Sequence, residues 1–351
     1  MIRVGIAGIG FMGWIHYLAY RQVPEVELVA IASRDEKKRR GDWRGIQGNF
    51  GPPGEQVDLS GVAAYESLEQ MLEDPNVELV DLCLPPALHA PAAIQALQAG
   101  KHVFCEKPIA VRLEDGRRMV QVAQQAGRRL FVGHVLPFFP EFHFLWQAAQ
   151  DGRFGRPLGG VFKRTISDPE WLADFYDPEK VGGPVVDLLI HDAHFLRLLW
   201  GMPQAVFSTG RMHGDSAVVE FLCSQFLYGE GVGPVAVHGG VVRQSGRDFT
   251  HGFEVHFEQA TVLMDFAVIE SQPVVSMPLT VLAADGSVQR PELGEGDPVQ
   301  GFVAEVREVA QALAQQRPSP LLEGELALDA LALCHAQSES VRSGGPVSLE
   351  T

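Results

Sequence analysis

The sequence predicts two domains, an α/β domain with a parallel sheet followed by an α+β domain with a largely antiparallel open sheet, and three observations carry that expectation. In the first 135 residues short apolar runs alternate with helix-like stretches, the arrangement of a parallel sheet covered by helices. After about residue 155 strands follow one another with few helices between them, the pattern of a separate α+β domain. The chain has 351 residues and is 46% hydrophobic, enough to bury two cores of ordinary size, so disorder is excluded as the main state. The expected domains are residues 1–135 and 136–351, with the last helix able to pack back on the first.

Candidate strands of the first domain are Arg3–Ala7, Glu27–Ser33, Leu79–Leu84, His102–Cys105 and Leu130–His134, with helices starting near Phe11, Ser67, Leu88 and Leu113. Gly and Pro crowd residues 41–61, which read as a surface excursion, and the second crossover helix shrinks to about Asp35–Arg40. In the second domain the strands are Leu158–Ile166, Gln204–Met212, Val218–Leu227, Val235–Val242, His251–Phe257, Thr261–Phe266 and Val274–Leu282. Helices are expected over Pro184–Trp200, Val299–Gln316 and Glu323–Arg342, and Pro346–Glu350 either returns as a strand or trails off.

Charge narrows the partners. With 28 Lys+Arg against 44 Asp+Glu the net charge is −16, so no basic field exists to hold a nucleic acid or an anionic membrane. A small molecule is the expected partner, and an anionic one needs a local site at a helix N-terminus. Cys83, Cys105, Cys223 and Cys334 are too scattered for a disulfide framework or a zinc motif and fit a reducing compartment. No apolar run approaches the roughly 20 residues that span a bilayer. The first residues run into a strand without the features of an export signal, so the expectation is a cytoplasmic protein.

Gly8-Ile9-Gly10-Phe11-Met12-Gly13 follows an apolar strand and opens a helix, the context that makes GxGxxG a dinucleotide signature. Gly8 permits the tight turn, Gly10 lets a pyrophosphate approach the backbone, and Gly13 lets helix and strand pack closely. The N–H groups around Phe11 and Met12 then face the phosphates. At the end of the second strand Ser33 stands where an acidic residue normally meets the adenosine ribose. Arg34, followed by Lys37, Lys38 and Arg39, suits a 2′-phosphate, which leans the NAD(P) cofactor toward NADP. The alternative is that Asp35 reaches the ribose and the basic run is a solvated helix face.

Leu84-Pro85-Pro86-Ala87-Leu88-His89 and Cys105-Glu106-Lys107-Pro108 each lie just after a candidate strand, at the carboxyl edge where open parallel sheets bind ligands. Leu84, Pro85, Pro86, His89, Glu106 and Lys107 therefore join the cofactor side, and Pro108 turns the chain there. Further on comes Gly182-Gly183-Pro184-Val185-Val186-Asp187-Leu188-Leu189-Ile190-His191-Asp192-Ala193-His194, with Pro184 suited to a first helical turn. At about 100° per residue Asp187, His191 and His194 share one helical face. A carboxylate four residues before an imidazole can bond it, select its tautomer and raise its basicity, as a proton-transferring histidine needs.

As an ordered set, the GxGxxG, the Pro-x-x-x-His turn, the Glu-Lys-Pro and the Gly-Gly…Asp-x-x-x-His resemble the Gfo/Idh/MocA family, the glucose–fructose oxidoreductase and inositol dehydrogenase relatives, over nearly the whole chain. The resemblance implies a Rossmann domain followed by an α+β domain whose open sheet serves oligomer contacts. It also implies an NAD(P)-dependent oxidoreductase acting on a CH–OH group of a sugar, cyclitol or related polyol. Lys107, Asp187 and His191 fall on its catalytic positions: His191 as general acid/base, Asp187 orienting it, and Lys107 as the cation that bonds the reacting oxygen. The same three, with Arg164, Asp168, Trp171 and His194, are the expected substrate contacts. His194 stands where many relatives carry an acid, and Pro137 where they often carry Arg, and both departures bear on substrate identity.

No catalytic metal is expected, because hydride transfer with a Lys–His pair does not require one. Two other readings stay open: a redox-neutral glycosidase or epimerase that uses the nicotinamide transiently, and a non-catalytic sugar or dinucleotide sensor. The apolar run Val274–Leu282 points to a sheet packed on a partner subunit, in a homodimer or homotetramer.

Overall fold

Six short apolar segments pair in parallel to build the first sheet of the computed structural model, which describes residues 1–169, 172, 174–293 and 296–349. They are β1 (Ile2–Ala7), β2 (Val26–Ala32), β3 (Ala63–Tyr65), β4 (Leu79–Leu82), β5 (His102–Glu106) and β6 (Leu130–Gly133), in the order β3-β2-β1-β4-β5-β6. Strand order reverses between β1 and β4, the switch point outside which open α/β sheets take their ligands. Val4, Ile6, Val80, Leu82, Val103 and Phe104 are all but inaccessible, as expected of strands covered on both faces. The three residues of β3 fall in a stretch where the sequence predicts no strand.

The chain divides into two compact units, Met1–Phe139 with Glu295–Leu328, and Pro140–Gly294 with Asp329–Thr351. The first unit thus runs to Phe139 where the expected boundary is residue 135, and it takes in a segment of the expected second domain. The segment that returns to the first unit is chiefly the Pro298–Ala314 helix, which packs on the Phe11–Tyr20 helix. The closing helix, Gly324–Ser343, contributes only its first residues. Beyond the Pro298–Ala314 helix, Leu322 accepts a backbone hydrogen bond from Val132 of β6 at 2.8 Å. Residues 41–61 form a packed excursion: Trp43 is fully buried and bonds the Lys38 carbonyl at 2.8 Å, while Trp14 of the first helix bonds the Pro52 carbonyl at 2.8 Å.

The second unit carries nine strands: β7 (Pro157–Ser167), β8 (Ala205–Met212), β9 (Val219–Leu227), β10 (Val235–Val242), β11 (Arg247–Phe257), β12 (Ala260–Ile269), β13 (Gln272–Ala283), β14 (Val288–Gln289) and β15 (Val347–Ser348). Their order is β14-β13-β12-β11-β7-β10-β9-β8-β15, antiparallel except where β7 and β10 run together. The tail thus returns as an edge strand. One face carries a phenylalanine core of Phe142, Phe162, Phe195 and Phe253, with Phe142 5.2 Å from Phe195 and 5.1 Å from Phe253. Phe142 comes from the Pro140–Asp151 helix, which the sequence reading does not assign. Val161, Phe207, Val275 and Leu282 are exposed. No helix among the described residues is long and apolar enough to cross a membrane.

Candidate cofactor and active-site residues

The glycine loop separates into two tight positions and one open one. Gly8 has φ +98°, and a Cβ there would lie 2.4 Å from the Cys83 carbonyl oxygen. A Cβ on Gly13 would lie 2.3 Å from the Gly8 carbonyl oxygen. A Cβ on Gly10 would meet nothing within 4 Å. Gly10 is the N-cap of the Phe11–Tyr20 helix, no side chain caps that end, and no acid stands in its first turn. Backbone N–H groups and the helix dipole are therefore available to an anion over an open cradle, which fits a dinucleotide pyrophosphate.

The basic run beside the loop is partly committed. Lys38 Nζ donates to the Ile9 carbonyl at 2.6 Å, and Arg39 Nη1 to the Ser33 carbonyl at 2.7 Å. The Asp35 carboxylate caps the Glu36–Arg39 turn by accepting from the Lys37 N–H at 2.9 Å. Arg34 is exposed and has no ion pair or hydrogen-bonded partner among the described residues, and Ser33 beside it is half-buried.

His89 and Glu106, expected at the cofactor, turn inward. His89 is fully buried, with Nδ1 2.7 Å from the Pro108 carbonyl and Nε2 2.8 Å from the Leu84 carbonyl, so it ties the turn after β4 to the turn after β5. Burial lowers its pKa and the two carbonyls oppose that shift; a neutral ring donates to one of them. Glu106 is 6% exposed: one oxygen lies 2.9 Å from His16 Nε2, and the other accepts from the Lys107 N–H at 3.1 Å. Lys107 itself is half-buried.

A cluster that the sequence reading missed lies behind that turn. Fully buried His16, from the Phe11–Tyr20 helix, faces Asp81 Oδ2 at 2.8 Å through Nδ1 and Glu106 through Nε2. Only an imidazolium donates to both carboxylates. Burial opposes that charge, but the Asp81 and Cys83 interactions outweigh it and the pKa is raised well above 6.5. Tyr20 also donates to Asp81, at 2.8 Å. Glu305, delivered by the returning helix, is fully buried, and its oxygens have no hydrogen-bond partner among the described residues. Burial and then the Glu106 charge push its pKa well above the ordinary range, which favours the protonated carboxyl. A sequence signal for this cluster was present in Asp81, an acid inside the apolar run Leu79–Leu84.

In the second unit Gly182 and Gly183 take φ +80° and +74°, a conformation that favours glycine, and turn the chain into the Gly183–Asp187 helix. The single helix expected over Pro184–Trp200 is interrupted: Leu188 and Leu189 keep right-handed dihedrals, and a second helix runs Ile190–Trp200. Asp187 and His191 are half-buried between buried neighbours. His194 and Arg164, expected substrate contacts, are 0% and 4% exposed. The Arg164 guanidinium forks onto Asp192 at 2.6 and 3.1 Å, so this arginine anchors the helix of His191 to β7. Trp171 lies outside the described residues. Asp168 is half-buried at the end of β7, and its charge, after burial, raises the pKa of Tyr176. The Tyr176 ring stacks on His213 at 3.6 Å.

The loop and the sheet order define a dinucleotide-binding α/β protein joined to an α+β unit. Residues 2–134 match the model of an oxidoreductase family with an NAD-binding Rossmann fold, and residues 142–263 match the GFO/IDH/MocA C-terminal domain. The chain belongs to the GFO/IDH/MocA family of oxidoreductases. It is 33% identical over 240 residues to 1,5-anhydro-D-fructose reductase of Ensifer adhaerens, covering 64% of this chain and 67% of that one. It is 31% identical over 220 residues to myo-inositol 2-dehydrogenase of Thermotoga maritima, covering 62% and 60%. A levoglucosan dehydrogenase solved with NADH and levoglucosan superposes with a TM-score of 0.80 at 21% identity over 100% of each chain, a likeness of fold.

Proposed function

We propose that the protein transfers a hydride between a nicotinamide cofactor and a CH–OH carbon of a sugar, cyclitol or related polyol. The observation that carries the cofactor half is the open cradle at Gly10 above an uncapped, acid-free helix N-terminus. The substrate half rests on family membership and on relatives named as an anhydrofructose reductase and an inositol dehydrogenase. When bound, the nicotinamide supplies the hydride acceptor or donor. His191 takes the hydroxyl proton during oxidation and returns it during reduction, Asp187 orients His191, and Lys107 hydrogen-bonds the reacting oxygen. The exposed Arg34 beside Ser33, with Asp35 occupied as a helix cap, supports a preference for NADP. The exposed apolar residues of the nine-stranded sheet support a homodimer or homotetramer, and the four reduced cysteines suit a cytoplasmic setting.

The test is turnover on a panel of sugars and cyclitols with NAD(P)H absorbance and product followed together. Cofactor change equal to product supports the proposal. Product without net cofactor change overturns it in favour of a redox-neutral reaction, and tight sugar binding without product would favour a sensor.

A further inference from the structure

We infer that His16 is a positioning residue for the Lys107 turn: held by Asp81, its ring fixes the Glu106 carboxylate, whose second oxygen holds the Lys107 backbone N–H. This rests on the role proposed above for Lys107. The links measure 2.8 Å from Asp81 to His16, 2.9 Å from His16 to Glu106 and 3.1 Å from Glu106 to the Lys107 amide. The ring itself is immobilised, stacked on Phe104 of β5 at 5.2 Å with planes 10° apart. The groups that face it are Asp81 of β4, Cys83 just after that strand, Glu106, Tyr20 on its own helix, and Glu305 on the returning helix.

The energetics favour a geometric role. Burying two carboxylates and an imidazolium costs more desolvation than filling the same volume with apolar side chains, so such a cluster is a poor stabiliser. What it does well is hold directions, because charge-assisted hydrogen bonds are short and narrow in angle. His16 stands five residues after Phe11, about 7.5 Å along the same helix. The helix end that would receive the pyrophosphate and the turn that carries Lys107 are thus joined through one rigid element.

Two substitutions separate positioning from mere packing. In His16→Gln the amide nitrogen stands near the former Nε2 and still donates to Glu106, while Asp81 keeps its bond from Tyr20. In His16→Asn the shorter amide stands near Nδ1 and reaches Asp81, leaving Glu106 without its donor. Both remove the charge and shrink the ring's volume. His16→Asn is expected to lower kcat on the order of 10²-fold, with KM and cofactor affinity little changed, and His16→Gln to lose much less. Reductive methylation of Lys107, followed by mass spectrometry across pH, reads the turn independently of turnover: its profile is expected to shift in His16→Asn more than in His16→Gln. If Lys107→Met keeps full turnover, the catalytic role of Lys107 falls while the labelling still judges the clamp. Equal kcat losses in the two variants together with an unchanged Lys107 profile would overturn the inference. Should His16→Asn not accumulate folded, Glu106→Gln removes one of the two acceptors and carries the same expectations, and wild-type kcat and labelling there would overturn it.

Discussion

Substituting the three loop glycines one at a time separates binding from folding, because the structure gives each methyl a different neighbour. Gly10 has φ −110° and ψ −157°, an extended conformation open to any residue, and its added Cβ meets nothing within 4 Å. Gly10→Ala should therefore fold, and restricting the unfolded chain raises stability by about 0.4–1 kcal/mol. The methyl fills the space over the helix end, so the pyrophosphate loses at least one backbone N–H. A hydrogen bond to a charged group contributes about 1.5–3 kcal/mol, hence roughly a 10- to 150-fold loss of cofactor affinity. Gly8→Ala and Gly13→Ala instead drive a Cβ to 2.4 and 2.3 Å from backbone oxygens, which costs on the order of 1–3 kcal/mol or more of stability. Isothermal titration with NADH and NADPH, beside thermal transitions without cofactor, reads both quantities. A folded Gly10→Ala that binds as tightly as the parent would refute the placement of the pyrophosphate.

Lys107→Met should abolish turnover and His191→Ala should lower it by about 10²–10⁴-fold, each with cofactor affinity nearly intact by titration; undiminished turnover removes that residue from the mechanism. NADPH should raise the thermal transition more than NADH, and Arg34→Ala should erase the difference; a clear NADH preference in the parent would sink the Ser33–Arg34 argument. Glu305, with a folded pKa above its ordinary value of 4.5, binds more protons folded than unfolded, so its contribution to stability falls as pH rises through 4.5 toward the folded pKa. Glu305→Gln removes that fall, and urea unfolding should show the variant gaining on the parent as pH increases; a constant difference between the two would mean that Glu305 is ionised in the fold. Arg164→Met strands a buried carboxylate and should cost about 3–5 kcal/mol, largely recovered in Arg164→Met with Asp192→Leu; a change confined to substrate KM would instead return Arg164 to the binding site.

What could be read from the sequence was local. The glycine loop, the end of the first strand at Ala7, the end of the second to within one residue, and the seven long strands of the second unit announce themselves within windows of about ten residues, because turn geometry and alternation are local constraints. The three residues of β3 carry no periodicity to detect. The Pro140–Asp151 helix was legible in Pro140, Phe142, Leu145 and Ala148, but the prolines before it masked the spacing. Nothing local states that residues 295–328 return to the first unit, or that His16 meets Asp81 and Glu106, which lie 65 and 90 positions away. Arg164 shows the converse: an arginine near a candidate pocket invites a ligand, and its burial beside Asp192 shows an internal partner that no local pattern announces.

The two units place their proposed reactive residues by the same device. Lys107 follows Glu106, and His191 precedes Asp192; in both cases the neighbour is a buried carboxylate bonded to a cation from a different element. For Glu106 that cation is His16 of the first helix, and for Asp192 it is Arg164 of β7. Packing with apolar side chains would stabilise each junction at lower desolvation cost but would leave the backbone beside the reactive residue free to slide by fractions of an ångström. Proton transfer and oxygen stabilisation are sensitive to displacements of that size. A bidentate or doubly anchored carboxylate fixes its own Cα in direction as well as distance, and the next residue along the chain inherits that precision. Stability and geometry should therefore respond differently to the same substitutions: replacing the Arg164–Asp192 pair with apolar side chains restores the unfolding transition, while turnover stays below that of the parent because the helix of His191 has lost its anchor.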